Sequence, residues 1–115
     1  MVIRKGSIYW VDFASGKGPE PMGRRPGLVV QNDLLNDSKL NTVIVVAITS
    51  TLKFGELPGN VVLENGEANL PKRSVVNATQ IKTVDKRSLK EKIGRLTKKR
   101  MAEVCKGMKL IMDLP

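Results

Sequence analysis

Two short β-rich runs carry polar groups at ends that would meet if the runs pair antiparallel. Gly23 to Asp33 reads GRRPGLVVQND: two arginines and a proline, then Leu28, Val29 and Val30. Thr42 to Ser50 reads TVIVVAITS: an apolar run from Val43 to Ile48 that ends in Thr49 and Ser50. Antiparallel pairing sets Arg25 beside Thr49 at one rim of a sheet. Arginine stays charged and presents a planar fork of donors that fits a phosphate. A neighbouring hydroxyl can hold or polarise the same group. The pair therefore suits a phosphodiester, in a chain that contains no histidine.

The elements around these runs read as follows. Ser7 to Phe13 is a first strand, with Trp10 expected in the core, and Ala14 to Arg24 is a long loop rich in Gly and Pro. Arg25 to Gln31 is the second strand, with Pro26 at its start, where proline is tolerated. DLLND near Asp33 makes one helical turn. Thr42 to Ile48 is the third strand, and its unbroken β-branched run predicts burial on both faces. Short strands follow at Asn60 to Leu63 and Arg73 to Ala78, with Ile81 to Val84 extending the latter past a kink. Ser88 to Leu96 begins like a helix-capping box, but Gly94 after Ile93 favours a short strand. Thr97 to Met112 is the clearest helix: Thr97 is a natural N-cap, and Met101, Val104, Cys105, Met108, Ile111 and Met112 fall on one stripe. Many short strands with one terminal helix predict a mainly β fold, a small barrel with a helical appendage.

At 115 residues the chain is one domain, with a core small enough to make an obligate dimer plausible. The net charge is +9, and Lys82 to Lys109 carries eleven basic residues against three acidic ones. That excess favours a polyanionic partner, a nucleic acid or an acidic protein segment. Lys98, Lys99 and Arg100 open the last helix, where the helix dipole disfavours cations. No apolar run approaches a membrane span, and the N-terminus lacks the apolar core of a signal peptide. A lone Cys105 forms no internal disulfide and suits a reducing cytosol, so a cytoplasmic protein is expected. Cys105 sits on the apolar stripe with no histidine to activate it, and reads as core. Asp12, Asp33 and Asp37 are not spaced as a carboxylate cluster, so no metal site and no cofactor is expected.

The ordered motifs resemble the MazF/PemK (Kid) family of toxin endoribonucleases over nearly the whole chain. They are Gly6 to Asp12 (GSIYWVD), Gly23 to Pro26 (GRRP), Leu28 to Asp33 (LVVQND), Val45 to Ser50 (VVAITS), Leu57-Pro58, Ser74 to Val76, Gln80 to Arg87 (QIKTVDKR), Leu89 and the final amphipathic helix. The resemblance implies an SH3-like barrel of the PemK/CcdB type acting as a homodimer. It implies metal-independent, sequence-specific cleavage of single-stranded RNA to a 2′,3′-cyclic phosphate and a 5′-hydroxyl. It further implies a cognate antitoxin whose acidic C-terminal segment covers the RNA groove. The family's catalytic arginine and threonine fall on Arg25 and Thr49. Departures occur at the loop Gly18 to Gly23, at Gly27, and at Asn77 and Ala78. They touch the substrate loop and its neighbouring strand, leave the reaction class intact and bear on which RNA sequence is recognised.

The chemistry asked of the pair is to stabilise the phosphorane formed when a 2′-hydroxyl attacks the adjacent phosphorus. Arg25 would neutralise it, Thr49 would donate to a non-bridging oxygen, and the general base stays open between water and a carboxylate such as Glu20. For RNA binding, Glu20, Arg24, Ser74, Thr79 and Gln80 are candidates for reading base edges, and Ser50 is a further RNA-binding candidate. Lys53, Lys82, Lys86 and Arg87 are candidates for holding phosphates. Two other functions fit the same fold: a non-catalytic toxin that binds gyrase, similar to CcdB, and an RNA-binding module without cleavage.

Overall fold

The computed structural model describes residues 1–13 and 23–115. Six strands, β1 (Ser7–Phe13), β2 (Gly23–Val29), β3 (Thr42–Thr49), β4 (Val61–Leu63), β5 (Ser74–Asp85) and β6 (Leu89–Arg95), form one antiparallel sheet in the order β4-β5-β3-β2-β1-β6. A four-residue helix α1 (Asp33–Asn36) follows β2, and α2 (Lys98–Met112) ends the chain. The expected turn at DLLND is α1, capped by the Asn32 side chain, which accepts from the Leu34 N–H. The strand expected over Ser88 to Leu96 is β6.

Strand alternation builds two apolar clusters on opposite faces of the curled sheet. Tyr9, Val11, Phe13, Val29, Val43, Val45 and Ala47 belong to one. Ile8, Leu28, Val46, Ile48, Leu63 and Val76 belong to the other, which Val104 of α2 completes. Both faces of β3 are therefore buried, as its β-branched run predicts. The stripe on α2 packs Met101, Val104 and Met108 onto the second cluster, whereas Met112 at the end of the helix stays exposed. Cys105 is half-buried. Thr97 caps the helix by accepting from the Arg100 N–H at 3.2 Å.

The two edge strands, β4 and β6, are joined by packing rather than by a ladder. The 3₁₀ turn Glu67–Asn69 after β4 lies against β6. A Cβ on Gly94 would sit 2.0 Å from the Ala68 carbonyl oxygen, so the seam needs glycine there. That requirement explains why Gly94 interrupts a segment that otherwise begins with a helix signal. The seam is pinned from α2: Arg100 donates to Glu67 at 2.8 and 3.0 Å and to Glu103 at 2.9 Å. Arg100 thus has a structural reason for its place in the first turn of the helix. Burial raises the pKa of the Glu67 carboxyl, but the Arg100 bonds and the Glu64 backbone N–H outweigh it and hold it below its usual 4.5. The helix also meets the loop before β4 closely, since a Cβ on Gly107 would stand 2.0 Å from the Gly59 carbonyl oxygen.

Two outcomes follow from these contacts. Gly107→Ala must push two backbones apart, and is expected to lower stability by about 1–3 kcal/mol in urea melts. A carboxyl whose folded pKa is depressed stabilises the fold above its unfolded pKa, and that contribution disappears as pH falls through the folded value. Stability should therefore drop as pH goes below about 4.5, and Glu67→Gln should flatten that limb of the curve while lowering stability at neutral pH.

Candidate functional site

The register of β2 on β3 decides which polar groups meet. Gly27 pairs with Ala47, Leu28 with Val46 and Val29 with Val45. The ladder ends at Gly27 and Ala47; extended two residues further toward the rim, its register would bring Arg25 opposite Thr49. Arg25 also pairs with Val11 of β1, and Thr49 with Val75 of β5. Val11 and Ala47 lie in the first cluster, so alternation puts Arg25 and Thr49 on that same face. Arg25 is exposed and Thr49 is half-buried. The Thr49 hydroxyl oxygen accepts from the Thr51 N–H at 3.1 Å, which orients the oxygen and leaves its own hydrogen to donate. Gly27 stands where a side chain would crowd the ladder: a Cβ there would lie 2.7 Å from Val11 Cγ2.

A cavity of about 170 Å³ opens at this rim mainly on the face of the second cluster, where Ile48 and Leu70 lie, and Thr49 is not among the residues that line it. Arg24, Arg25, Ser50 and Ser74 line it, so four of the residues picked out from sequence meet there. Trp10 lines it too and is only half-buried, in contrast to the expected core position. The reason is the pairing of β1, which sends Tyr9, Val11 and Phe13 into the first cluster and leaves Trp10 opposite Pro26 on the other face. Arg24 is ion-paired with Glu91 of β6 across exposed side chains. Ser74 is buried and donates to the Lys72 carbonyl oxygen at 2.8 Å.

The other candidates spread out from this rim. Lys53 lies on the 3₁₀ turn Leu52–Glu56, its ammonium 5.8 Å from the Phe54 ring centroid. Lys82 is paired with Val45, four residues along β3 from Thr49, or about 13 Å. Arg87 sits near the far end of β3, whose Thr42 pairs with Asp85, and so is about 23 Å from Thr49 along the strand. Its guanidinium is bonded to Asp85 at 3.0 Å, which raises its pKa and lowers that of Asp85. Lys86 donates to the Asn36 carbonyl oxygen at 3.1 Å, tying β5 to α1. Part of the basic excess is thus structural. Glu20, and most of the loop expected from Ala14 to Arg24, lie outside the described residues. Among the described residues, no three His, Cys, Asp or Glu gather into a metal-binding group.

Thr79 and Gln80 occupy a bulge that sequence reading treats only as a kink. On β3, Val46 pairs with Ile81 and Ile48 with Val76, so residues 77–80 of β5 oppose Ala47 alone. The backbone released there is held by side chains. Asn60 donates to the Phe54 carbonyl oxygen at 2.9 Å and to Asn77 Oδ1 at 3.0 Å, and its own oxygen accepts from the Ala78 N–H at 2.8 Å. Thr79 donates to the same Asn77 oxygen at 2.9 Å. This network was missed from sequence; the signal was Asn77, a polar residue in an apolar run. It ties the turn that carries Lys53 to the bulge that carries Thr79 and Gln80. Asn60→Ala orphans the Ala78 N–H, which donates to the Asn60 side chain, and should lower stability by about 1–3 kcal/mol. Amide exchange at Ala78 should speed up more than exchange in β1.

Comparison with known proteins agrees with this architecture. A family model described as "PemK-like, MazF-like toxin of type II toxin-antitoxin system" matches residues 4–112. "Endoribonuclease MazF6" of Mycobacterium tuberculosis is 42% identical over 114 residues, 99% of this chain and 100% of that protein. "Endoribonuclease MazF" of Staphylococcus saprophyticus is 37% identical, over 98% of this chain and 93% of that one. A solved MazF from Deinococcus radiodurans superposes with a TM-score of 0.81 at 27% identity, covering 99% of each chain. A mycobacterial endoribonuclease solved in complex with its cognate antitoxin reaches 0.76 at 23% identity, covering 99% of this chain and 96% of that one. The chain therefore belongs to the PemK-like, MazF-like toxin family of type II toxin–antitoxin systems.

Proposed function

We propose that the chain is an endoribonuclease toxin that cleaves single-stranded RNA at a short sequence, without a metal ion, and is neutralised by a cognate antitoxin. The observation that carries the reading is the antiparallel β2–β3 register, which, extended two residues past its last pair, would bring the strand-end cation Arg25 opposite the strand-end hydroxyl Thr49. Relatives at 42% and 37% identity bear the name endoribonuclease, and this supports the same activity here.

In the proposed reaction the 2′-hydroxyl of one nucleotide attacks the adjacent phosphorus, the P–O5′ bond breaks, and the leaving 5′-oxygen takes a proton from Arg25, which regains one from solvent. The products are a 2′,3′-cyclic phosphate and a 5′-hydroxyl. Arg25 neutralises charge that develops on the phosphorane, a role worth most when the cation is held in place beforehand. Thr49, its oxygen fixed by the Thr51 N–H, aims its hydrogen at a non-bridging oxygen. The attacking hydroxyl loses its proton to water or to a carboxylate such as Glu20. Alignment of the internal nucleophile supplies a further share, because well-oriented intramolecular reactions can gain about 7–11 kcal/mol.

An antitoxin is proposed because similar toxins are solved in complex with a cognate antitoxin, and the net charge of +9 favours an acidic segment as the part that binds. A homodimer is proposed because the core is small and Leu110, Met112 and Leu114 leave apolar surface exposed at the end of α2. A cytoplasmic setting follows from an RNA substrate and a single thiol.

Purified protein incubated with a long RNA in excess EDTA should produce new 5′-hydroxyl ends clustered at one short sequence. Arg25→Ala and Thr49→Ala should each lose at least about 10³-fold in rate, comparable to removal of one oxyanion donor, with unchanged melting. A folded Arg25→Ala that cuts at the parental rate refutes the assignment. Salt-sensitive binding without new ends points to a binding module, and inhibition of gyrase supercoiling points to a CcdB-like toxin.

A further inference from the structure

We infer that Arg24 is a phosphate-binding arginine held in check by Glu91, and that an RNA backbone must draw it off this carboxylate in order to bind. The inference deepens the endoribonuclease reading and takes its ligand, single-stranded RNA, from it. Arg24 precedes Arg25 on β2 and lines the rim cavity together with Arg25 and Lys72. Cations gathered at one opening repel one another and favour an anion there. In the absence of RNA that anion is internal for Arg24, whose guanidinium is ion-paired with Glu91 of β6.

The pair points away from the proposed cleavage site. Arg24 stands opposite Asp12 on β1, and Trp10, two residues along on the same face, stands opposite Pro26. Across β1, Tyr9 pairs with Lys92 and Val11 with Leu89, so Glu91 falls between those pairs, level with Trp10. The Arg24 side chain therefore crosses β1 toward β6, whereas Thr49 lies on β3, on the other side of β2. The two side chains are 51% and 71% exposed, and such a pair adds little to stability. It is readily exchanged, because a phosphate offers a guanidinium the same charge and the same fork of acceptors. The exchange breaks the ion pair and leaves Glu91 as bare negative charge near the RNA. Glu91 thus opposes binding.

A double-mutant cycle on RNA affinity tests this. The probe is a fluorescent 2′-O-methyl RNA of mixed sequence, which lacks the nucleophile; a phosphate contact carries no sequence information, so a mixed probe suffices. Glu91→Gln should tighten binding roughly two- to fivefold. Arg24→Gln should weaken binding and lower the slope of log Kd against log salt by about 0.7, the loss of one phosphate contact. Its cost should be greater in the Glu91→Gln protein than in the parent, again by roughly two- to fivefold. An equal cost in both backgrounds means that the two charges act independently, and overturns the inference. So does weaker binding by Glu91→Gln, which would make Glu91 a support for Arg24, and so does an unaltered salt slope in Arg24→Gln. Those results leave cleavage, read separately by end mapping, intact. The expected cycle in a protein that makes no new RNA ends supports the hold on Arg24 and sinks the endoribonuclease reading. A parental protein that neither binds nor cuts overturns both.

Discussion

The antiparallel register of β2 on β3 is the constraint on which the rest depends. Sliding β2 by one residue would move Arg25 to the opposite face and break the pairing of Leu28 with Val46 and of Val29 with Val45. Those four residues are fully buried, on two different clusters, so a slip would damage both cores at once. The same apolar contacts that stabilise the sheet therefore also fix the register from which the proposed meeting of Arg25 and Thr49 is drawn. A site that comes with the register needs no separate scaffold, which suits a domain of 115 residues.

Around that register the molecule uses close backbone approaches and a few polar ties. Gly94 admits the Ala68 carbonyl at the seam, and Gly107 admits the loop at Gly59. Arg100 pins the seam to α2 through Glu67, and Asn60 holds the bulge of β5. The exposed pair of Arg24 with Glu91 contributes little energy by itself, but it tethers an arginine at the mouth of the cavity.

Much of this was legible in the residues. The β-branched run of β3, the Thr97 cap and the apolar stripe of α2 are strong local signals, and the structure has them where the pattern puts them. The antiparallel pairing of the two β-rich runs was also readable, and β2 and β3 do pair antiparallel, with Gly27 opposite Ala47. What was not legible depended on long-range packing. Trp10 looked like core because a large aromatic in a strand usually is, and only the pairing with Pro26 turns it toward the rim. The bulge over 77–80 looked like a kink between two strands, because nothing local shows that Asn60, 17 residues before Asn77, satisfies its backbone. Arg100 looked misplaced at a helix start because its partner Glu67 lies on a distant turn.

The central claim is that Arg25 and Thr49 act on one phosphate as a unit. A double-mutant cycle of single-turnover RNA cleavage rates, with Arg25→Lys, Thr49→Val and the two combined, tests it most directly. Coupled groups predict that the double variant loses little more than the worse single one. A combined loss equal to the product of the two separate losses would mean that the side chains act independently, and would contradict the account.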